Sequence, residues 1–258
     1  MASSIQVIDR AAALLDALAR AGGVASLKVL SADTALHPST AFRILGSLAE
    51  NGYVERDAAG HYRLGVRLLQ LASRVGTHLD VRREAPPIME WLRNELGETV
   101  NLTLRDRDEV VYVERVTSNR TVRVEQVVGS RAPLHVTAVG KLMLGELGRG
   151  EVESYAKRTG LPAYTRNTFR DSDALLQEAV ISATRGYAFD NEEAELGVGC
   201  IGVLIHDAAG RAVAGLSVSA PIERLEDGWI ARVVEAGRQL SARLGHVPPA
   251  PEVGGAGS

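Results

Sequence analysis

Two groups of residues in this chain have the types and spacing to do chemistry. The first is Ser39, Thr40, Phe42, Arg43 and Ser47, within the run His37-Pro-Ser-Thr-Ala-Phe-Arg-Ile-Leu-Gly-Ser-Leu-Ala-Glu-Asn-Gly. Hydroxyls at the start of a helix suit phosphate, and an arginine one turn further on can fork onto guanine or onto phosphate. The second group lies between residues 137 and 219: Thr137, Asp190, Cys200, His206, Ser217 and Ser219. Cys200 with His206 and Asp190 has the makings of a thiol-nucleophile set. Against that, a lone cysteine at a strand edge is more often a small buried hydrophobe. Asp190, Glu192, Glu193 and Cys200 could gather a metal, but their spacing matches no standard zinc pattern. The chain has no phosphate-binding glycine loop, no paired-histidine helix and no nucleophile elbow.

The first group needs a helix to hold it. Pro38 suits a first turn, Ser39 and Thr40 are residues that helix starts favour, and Gly52 can end the helix in a left-handed conformation. Ala41, Ile44, Leu45 and Leu48 recur at three- and four-residue steps and form the inward stripe, which leaves Ser39, Phe42, Arg43 and Ser47 opposite. Upstream, Ser3 or Ser4 can cap a helix running to about Ala21, with Ile8, Ala11, Leu15 and Leu18 on one face and Gly22-Gly23 as its end. Ser26 opens a short second helix with Leu27 and Leu30 inward, and the turn through His37 makes the pair a helix-turn-helix. After Gly52 the period switches to two. Residues 53–56 and 61–64 read as a hairpin around Asp57-Ala-Ala-Gly. Such a wing can place Arg56, His61 or Arg63 beside a phosphate backbone, which sets register and affinity rather than sequence preference. The reading is a winged helix-turn-helix over residues 1–65.

Residues 66–79 return to a helical period. Val66, Leu69, Ser73 and Gly76 fall on one side, and Leu68, Leu71, Val75 and Leu79 on another. A helix apolar on two sides must bury both. It is therefore either a core helix or a linker that pairs with its copy in a second subunit, giving a two-fold dimer with two recognition helices.

Residues 80–245 mix helices and strands in uneven order, which favours an α+β domain with an antiparallel sheet over a doubly wound parallel one. Helices are expected over 86–96, 138–147, 151–158, 172–184 and 227–244. Strands are expected over 100–104, 110–115, 122–128, 187–189, 201–206 and 212–220. Ile88, Trp91 and Leu92 are the inward anchors of the first helix. Thr137 caps the helix that follows it, so the N–H groups of Ala138 and Val139 belong to a first turn without intrahelical partners, where a small carboxylate fits. Cys200 shares a strand face with Gly202, as Ser217 does with Ser219, and covered serines need partners. Residues 246–258, rich in Pro, Gly and Ala, read as a disordered tail.

Composition bounds the class. Of 258 residues, 45% are hydrophobic and 24% charged, ordinary for a soluble globular protein of two domains. The formal net charge of −3 argues against a protein that simply coats nucleic acid. Residues 1–79 nevertheless carry 8 Lys and Arg against 6 Asp and Glu, while the remainder carries 21 against 26. The single cysteine rules out an intrachain disulfide framework and fits a cytoplasmic protein. No signal segment opens the chain, and no apolar run approaches the roughly 18 residues of a membrane span.

Residues 5–71 resemble the DNA-binding half of the IclR family of bacterial transcription regulators, through Ala-Leu-Leu-Asp-Ala-Leu, Pro-Ser-Thr-Ala-Phe-Arg-Ile-Leu, Gly-Tyr-Val-Glu-Arg-Asp and Tyr-Arg-Leu-Gly in order. The second helix departs, with Ser-Leu-Lys-Val-Leu-Ser-Ala-Asp-Thr for the usual Leu-Thr-Glu-Leu-Ala pattern. His135-Val-Thr-Ala-Val-Gly-Lys, Tyr187-Ala-Phe-Asp-Asn-Glu-Glu, Gly197-Val-Gly-Cys-Ile-Gly-Val and Leu216-Ser-Val-Ser-Ala-Pro resemble the effector-domain motifs of the same family, extending the likeness to residue 245. The resemblance implies a GAF/profilin-like effector domain. It also implies a dimeric or tetrameric regulator that binds a near-palindromic double-stranded DNA operator and responds to a small organic effector of the carboxylic or aromatic acid type, with no cofactor. Family habit favours repression. Carried over by position, the DNA contacts are Ser39, Thr40, Phe42, Arg43, Ser47 and Arg63. The effector contacts are Ala138 and Val139 through backbone N–H, and Asp190, Cys200, Ser217 and Ser219 through side chains. Val139 stands where the family has Gly or another small residue, and narrows the pocket. An aspartate repels an anion, so Asp190 is expected to read a hydroxyl or amide of the ligand. The alternative is a small-molecule-modifying enzyme with an accessory DNA-binding module, and a third reading is an architectural DNA-binding protein without a ligand.

Overall fold

The computed structural model describes residues 5–75 and 81–248, and the chain divides into two compact units, Met1–His78 and Leu79–Ser258. Ser3 and Ser4, the 76–79 end of the expected linker helix and the tail beyond residue 248 lie outside the described residues. No described helix is long and apolar enough to cross a membrane.

In the first unit α1 (Gln6–Arg20), β1 (Val24–Ala25), α2 (Leu27–Asp33), α3 (Pro38–Glu50), β2 (Val54–Arg56), β3 (Tyr62–Leu64) and α4 (Val66–Val75) follow in order. Ile5 is the N-cap of α1 and supplies no side-chain bond. Ser26 does cap α2, its Oγ accepting from the Val29 N–H at 3.4 Å. The start of α3 departs from expectation. Its cap is the His37 ring, whose Nδ1 accepts from the Ser39 N–H (3.3 Å) and lies 2.8 Å from Ser39 Oγ. A histidine nitrogen thus does the work of the hydroxyl oxygen more usual there. Leu14, Leu18, Leu30, Ala41, Leu45, Val54 and Tyr62 close one core between the three helices and the hairpin. The hairpin gains an unexpected third strand: β1, from the segment read as a connection, pairs with β3 to give the order β1-β3-β2. On α4, Val66, Leu69 and Leu71 are exposed within the unit.

The second unit contains α5 (Val81–Glu84), α6 (Pro86–Leu96), β4 (Thr99–Asp106), β5 (Glu109–Val116), β6 (Arg131–Pro133), a 3-10 turn (Leu134–Val136), α7 (Ala138–Leu147), α8 (Arg149–Thr159), α9 (Ser172–Arg185), β7 (Ala188–Asn191), β8 (Val198–His206), β9 (Ala212–Pro221) and α10 (Ile230–Arg243). Its six strands form one antiparallel sheet in the order β6-β5-β4-β9-β8-β7. Helices end where local chemistry says they must. Gly97 and Gly186 take left-handed φ after α6 and α9, and Asp171 Oδ1 accepts from the Ala174 N–H (2.9 Å) at the start of α9. Met89 joins Ile88 and Leu92 as a fully buried anchor of α6, while Trp91 is only partly buried.

One expected strand is absent. Residues 122–128 form no ladder, and the third strand of this half is the short Arg131–Pro133. Val122, Val124 and Val128 recur at even spacing, as in a strand, yet Val122 is 67% and Val128 49% exposed. With most of its valines uncovered, period two alone does not make a strand. Side chains hold the segment instead. Arg115 donates to the Gln126 carbonyl, Arg224 to the Val122 carbonyl (2.9 Å), and Asn101 Nδ2 to Gln126 Oε1 (3.2 Å).

The sheet has two unlike faces. One carries Val100, Leu102, Ile201, Val203, Ile205, Leu216 and Val218 against α6 and α10. The cross-strand pairs Asn101↔Ser217, Thr103↔Gly215, Cys200↔Ser219 and Asp190↔Cys200 place a polar set on the opposite face, under α7.

Candidate functional site

Arg43 and Ser47 are exposed on α3 opposite the buried Ala41, Ile44 and Leu45, as the periodicity predicted. Ser39 shares that side, although its hydroxyl is engaged by His37. Thr40, Arg43 and Ser47 line a groove with Ile8 and Arg10 of α1. Phe42, 48% exposed, lies toward the wing, where the Arg56 guanidinium sits 5.7 Å from its ring and 5.5 Å from that of Tyr62. The wing arginine thereby braces the hairpin against α3. Arg63 folds back on Glu55, with Nε and a terminal nitrogen 2.9 and 2.6 Å from the same carboxylate oxygen.

Gly46 belongs to this exposed side, and a Cβ built there would meet nothing within 4 Å. Glycine inside a helix costs about 1 kcal/mol relative to alanine. Gly46→Ala is therefore expected to stabilise the first unit by about 1 kcal/mol, read as a higher denaturant midpoint; a lower midpoint would mean that a neighbour occupies the space.

Under α7 the polar face of the sheet encloses a cavity of about 70 Å³. Ala138, Val139, Asp190, Cys200 and Ser217 line it, five of the six residues expected there. Ser219 stands one step behind, bonded to Cys200 Sγ (3.1 Å) and Asn101 Nδ2 (3.1 Å). Tyr112, Gln126, Ala132, Thr137, Ala194, Glu195 and Val198 complete the lining. Of these, Tyr112 had no signal in the sequence. The β4–β5 register shifts between Leu102 and Thr103, pairing Thr103 with Tyr112 and Asn101 with Arg115. The bulge puts residues three apart in sequence on one face, which strict alternation forbids. Gln126 lies in the 122–128 segment, whose spacing predicts a strand and so hides its place at the cavity.

Two sheet glycines let α7 lie close. A Cβ on Gly202 would come within 2.8 Å of Val139 Cγ1, and one on Gly215 within 2.6 Å of Val139 Cβ. Val139 does narrow the space, as its size implied, by filling the hollow above these glycines. Thr137 Oγ1 caps the helix by accepting from the Gly140 N–H (3.2 Å). This cap leaves the first-turn N–H groups of Ala138 and Val139 at the cavity lining.

Burial governs the titration of the cavity. It pushes the Asp190 carboxyl up to about 6, against the pull of the Glu193 N–H and Lys141, and Glu193 up to about 7 against Lys141. Burial also raises the Tyr112 hydroxyl and the Cys200 thiol, with the Asp190 charge adding to both. Cys200 is thus held as a thiol, and His206, bonded to Glu146 at 2.6 Å, serves a different contact further along β8. A thiol–imidazole pair does not form. Nor do the acidic residues converge on a metal: Glu192 accepts from the Gly197 N–H (2.7 Å), Glu193 turns to Lys141, and no group of three or more ligands gathers among the described residues.

A buried acid whose folded pKa exceeds its unfolded value of about 4 gives stability below pH 4 that is lost as pH rises through the folded value. For Asp190 the loss therefore runs from pH 4 through about 6. Asp190→Asn, which keeps the acceptor for the Glu193 N–H, should gain on the wild type as pH rises from 5 to 8, by about 1–2 kcal/mol at the upper end. Denaturant melts of both proteins at the two pH values check this, and a pH-independent difference would contradict it.

Comparison with known proteins covers both units. Residues 7–58 match the IclR helix-turn-helix domain, and residues 73–245 match the bacterial transcriptional regulator IclR C-terminal domain. The transcriptional repressor AllR of Salmonella paratyphi A is 34% identical over 249 residues, covering 95% of this chain and 92% of AllR. The crystal structure of the Agobacterium tumefaciens repressor BlcR superposes with a TM-score of 0.76 at 28% identity, over 96% of this chain and all of BlcR. An IclR homologue from Microbacterium hydrocarbonoxydans, crystallised with 4-hydroxybenzoate, superposes with a TM-score of 0.60 at 26% identity, over 92% and 98% of the two chains.

Proposed function

The chain belongs to the IclR family and is a DNA-binding transcriptional regulator rather than an enzyme, and we propose that it is a repressor whose grip on its operator is set by a small organic acid in the cavity under α7. The observation that carries the ligand reading is the buried polar face of Asp190, Cys200, Ser217 and Tyr112 beneath the first turn of α7. Covered polar groups need partners, and this set offers an N–H pair at one side and an acceptor, Asp190, at the other. A carboxylate at the Ala138 and Val139 N–H groups with a hydroxyl toward Asp190 uses both. The Microbacterium homologue is named with a ligand of that description, 4-hydroxybenzoate. At about 70 Å³ the cavity is far below the roughly 300–1,000 Å³ of drug-sized sites, so the ligand is small or the segment bearing Gln126 moves aside to admit it.

The DNA contacts proposed are Ser39, Thr40, Phe42, Arg43, Ser47 and Arg63. A dimer, or a pair of dimers, on a near-palindromic operator is supported by Val66, Leu69 and Leu71, which leave α4 with apolar surface to cover. The ligand can change operator affinity only by its own differential affinity for the two states of the protein.

Gel-shift titration against genomic fragments at physiological salt, with and without glycolate, lactate or 4-hydroxybenzoate, tests the proposal. The same acids should raise the melting temperature. Absence of any saturable sequence preference would sink the operator reading; a ligand that stabilises the chain yet leaves operator affinity unchanged would sink the control.

A further inference from the structure

Behind the cavity wall lies a set of buried charges with no part in contacting the ligand. Lys141 on α7 is fully buried, its Nζ 2.6 Å from Glu193 Oε1 and 3.9 Å from Glu178 Oε1, with the Phe169 ring 5.1 Å away. Glu193 belongs to the turn joining β7 to β8, and its own N–H donates to Asp190 Oδ1 at 2.8 Å. One residue is therefore tied to the cavity by its backbone and to α7 by its side chain. Other bonds fix the same turn. Glu192 takes a left-handed φ of 60° while its carboxylate holds the Gly197 N–H. The Thr168 hydroxyl donates to the Glu193 carbonyl (2.7 Å), and the Thr165 hydroxyl to the Glu192 carbonyl (2.6 Å). Ala194 and Glu195 of this turn, with Val198 just after it, form a wall of the cavity.

A buried ion pair is a poor way to gain stability, because desolvation offsets most of the attraction and apolar residues of similar volume often do as well. The second oxygen of Glu193, Oε2, is buried without any partner, so this pair is not even fully satisfied. What such a pair does well is hold one geometry, since either partner displaced alone leaves an unpaired charge in the interior.

We propose that Lys141 and Glu193 form a latch that holds the 190–197 turn against α7 and keeps the cavity closed, making them positioning residues for the effector. The functional meaning of the latch rests on the cavity being the effector site. With the pair intact, the Ala138 and Val139 N–H groups and Asp190 stand at fixed separation; without it, the wall carrying Ala194 and Glu195 can swing away.

Cys200 lines the cavity and is the only cysteine in the chain, so its alkylation reports opening of that wall without knowledge of the ligand. The full-length Lys141→Met/Glu193→Met variant removes both charges together. It is expected to keep a cooperative melt and to react with iodoacetamide at Cys200 at least ten-fold faster than the wild type, as followed by intact mass. Leu240→Ala, in the core on the other face of the sheet, is the control for general loosening. Labelling at the wild-type rate, or acceleration no greater than Leu240→Ala produces, overturns the latch. Should the double variant lose its cooperative melt, Glu193→Gln answers the same question, since it keeps the shape and leaves Lys141 a neutral acceptor. Faster labelling there supports the latch, and an unchanged rate overturns it. Thermal stabilisation of the wild type by small hydroxy acids tests the effector reading separately, so either idea can fail alone.

Discussion

Arg43→Ala is expected to lower operator affinity by roughly 5- to 150-fold, about 1–3 kcal/mol, and to relax the base preference at one position of each half-site. The expectation rests on placement. Ala41, Ile44 and Leu45 commit one side of α3 to the core, which fixes Arg43 on the outward side with Ser47 next to it and the wing beyond Phe42. An exposed arginine there loses no folded-state packing when truncated, so the melting temperature should stay within a degree or two of the wild type. Arg63 makes an internal comparison. Its guanidinium already holds Glu55 through two nitrogens, so a phosphate must compete for it. Arg63→Ala should cost less affinity than Arg43→Ala and leave sequence preference intact, with a shallower salt dependence. Fluorescence anisotropy with an operator selected on the wild type, at two salt concentrations, separates the two effects. Unchanged affinity and preference in Arg43→Ala would mean that another side of α3 meets the DNA.

What could be read from the sequence, and what could not, divides by range. Helix limits set by adjacent residues were legible: Pro86 and Gly97 bound α6, Thr137 opens α7, and Asp171 and Gly186 bracket α9. Alternation puts Ser217 with Ser219 and Cys200 with Gly202, each pair on one face of its strand; the strand register brings the pairs to a common face, and depth leaves Ser219 behind Cys200. Features that depend on residues distant in sequence were hidden. Nothing local in Val110-Val-Tyr-Val shows that a bulge opposite Leu102 and Thr103 brings Tyr112 to the same face as Arg115. The Lys141–Glu193 pair joins residues 52 apart, and in the sequence Glu193 reads as one of four possible metal ligands and Lys141 as the end of a family motif. The error at 122–128 has the same origin. Whether alternating valines are covered is decided by partners elsewhere in the fold, and here Val122 and Val128 are left exposed.

The close approach of α7 to the sheet leads to the other large effect. Gly202→Ala should destabilise the second unit by about 2 kcal/mol and Gly215→Ala by about 3, in the range of forced overpacking. Neither glycine has a left-handed φ, so the cause is space rather than backbone conformation. The two differ in what they strike. A Cβ at 202 meets Val139 Cγ1 at 2.8 Å, with the Ala138 Cβ and the Val139 nitrogen each at 3.1 Å. One at 215 meets Val139 Cβ at 2.6 Å, its Cγ1 at 2.7 Å and Thr103 Oγ1 at 2.9 Å, so two contacts under 3 Å survive the loss of Cγ1 there. Val139→Ala removes Cγ1 but keeps Cβ. It should therefore restore about 1 kcal/mol in the Gly202→Ala background and little in the Gly215→Ala background, a coupling that a double-mutant cycle reads directly. Equal rescue at both positions would show that α7 lifts as a whole instead of yielding at Val139. Because the first turn of α7 carries the Ala138 and Val139 N–H groups, whatever shifts the helix also shifts the side of the cavity proposed to meet the carboxylate. Ligand-induced stabilisation should accordingly fall in Gly202→Ala and return with Val139→Ala, which ties the packing of two sheet glycines to the response of the regulator.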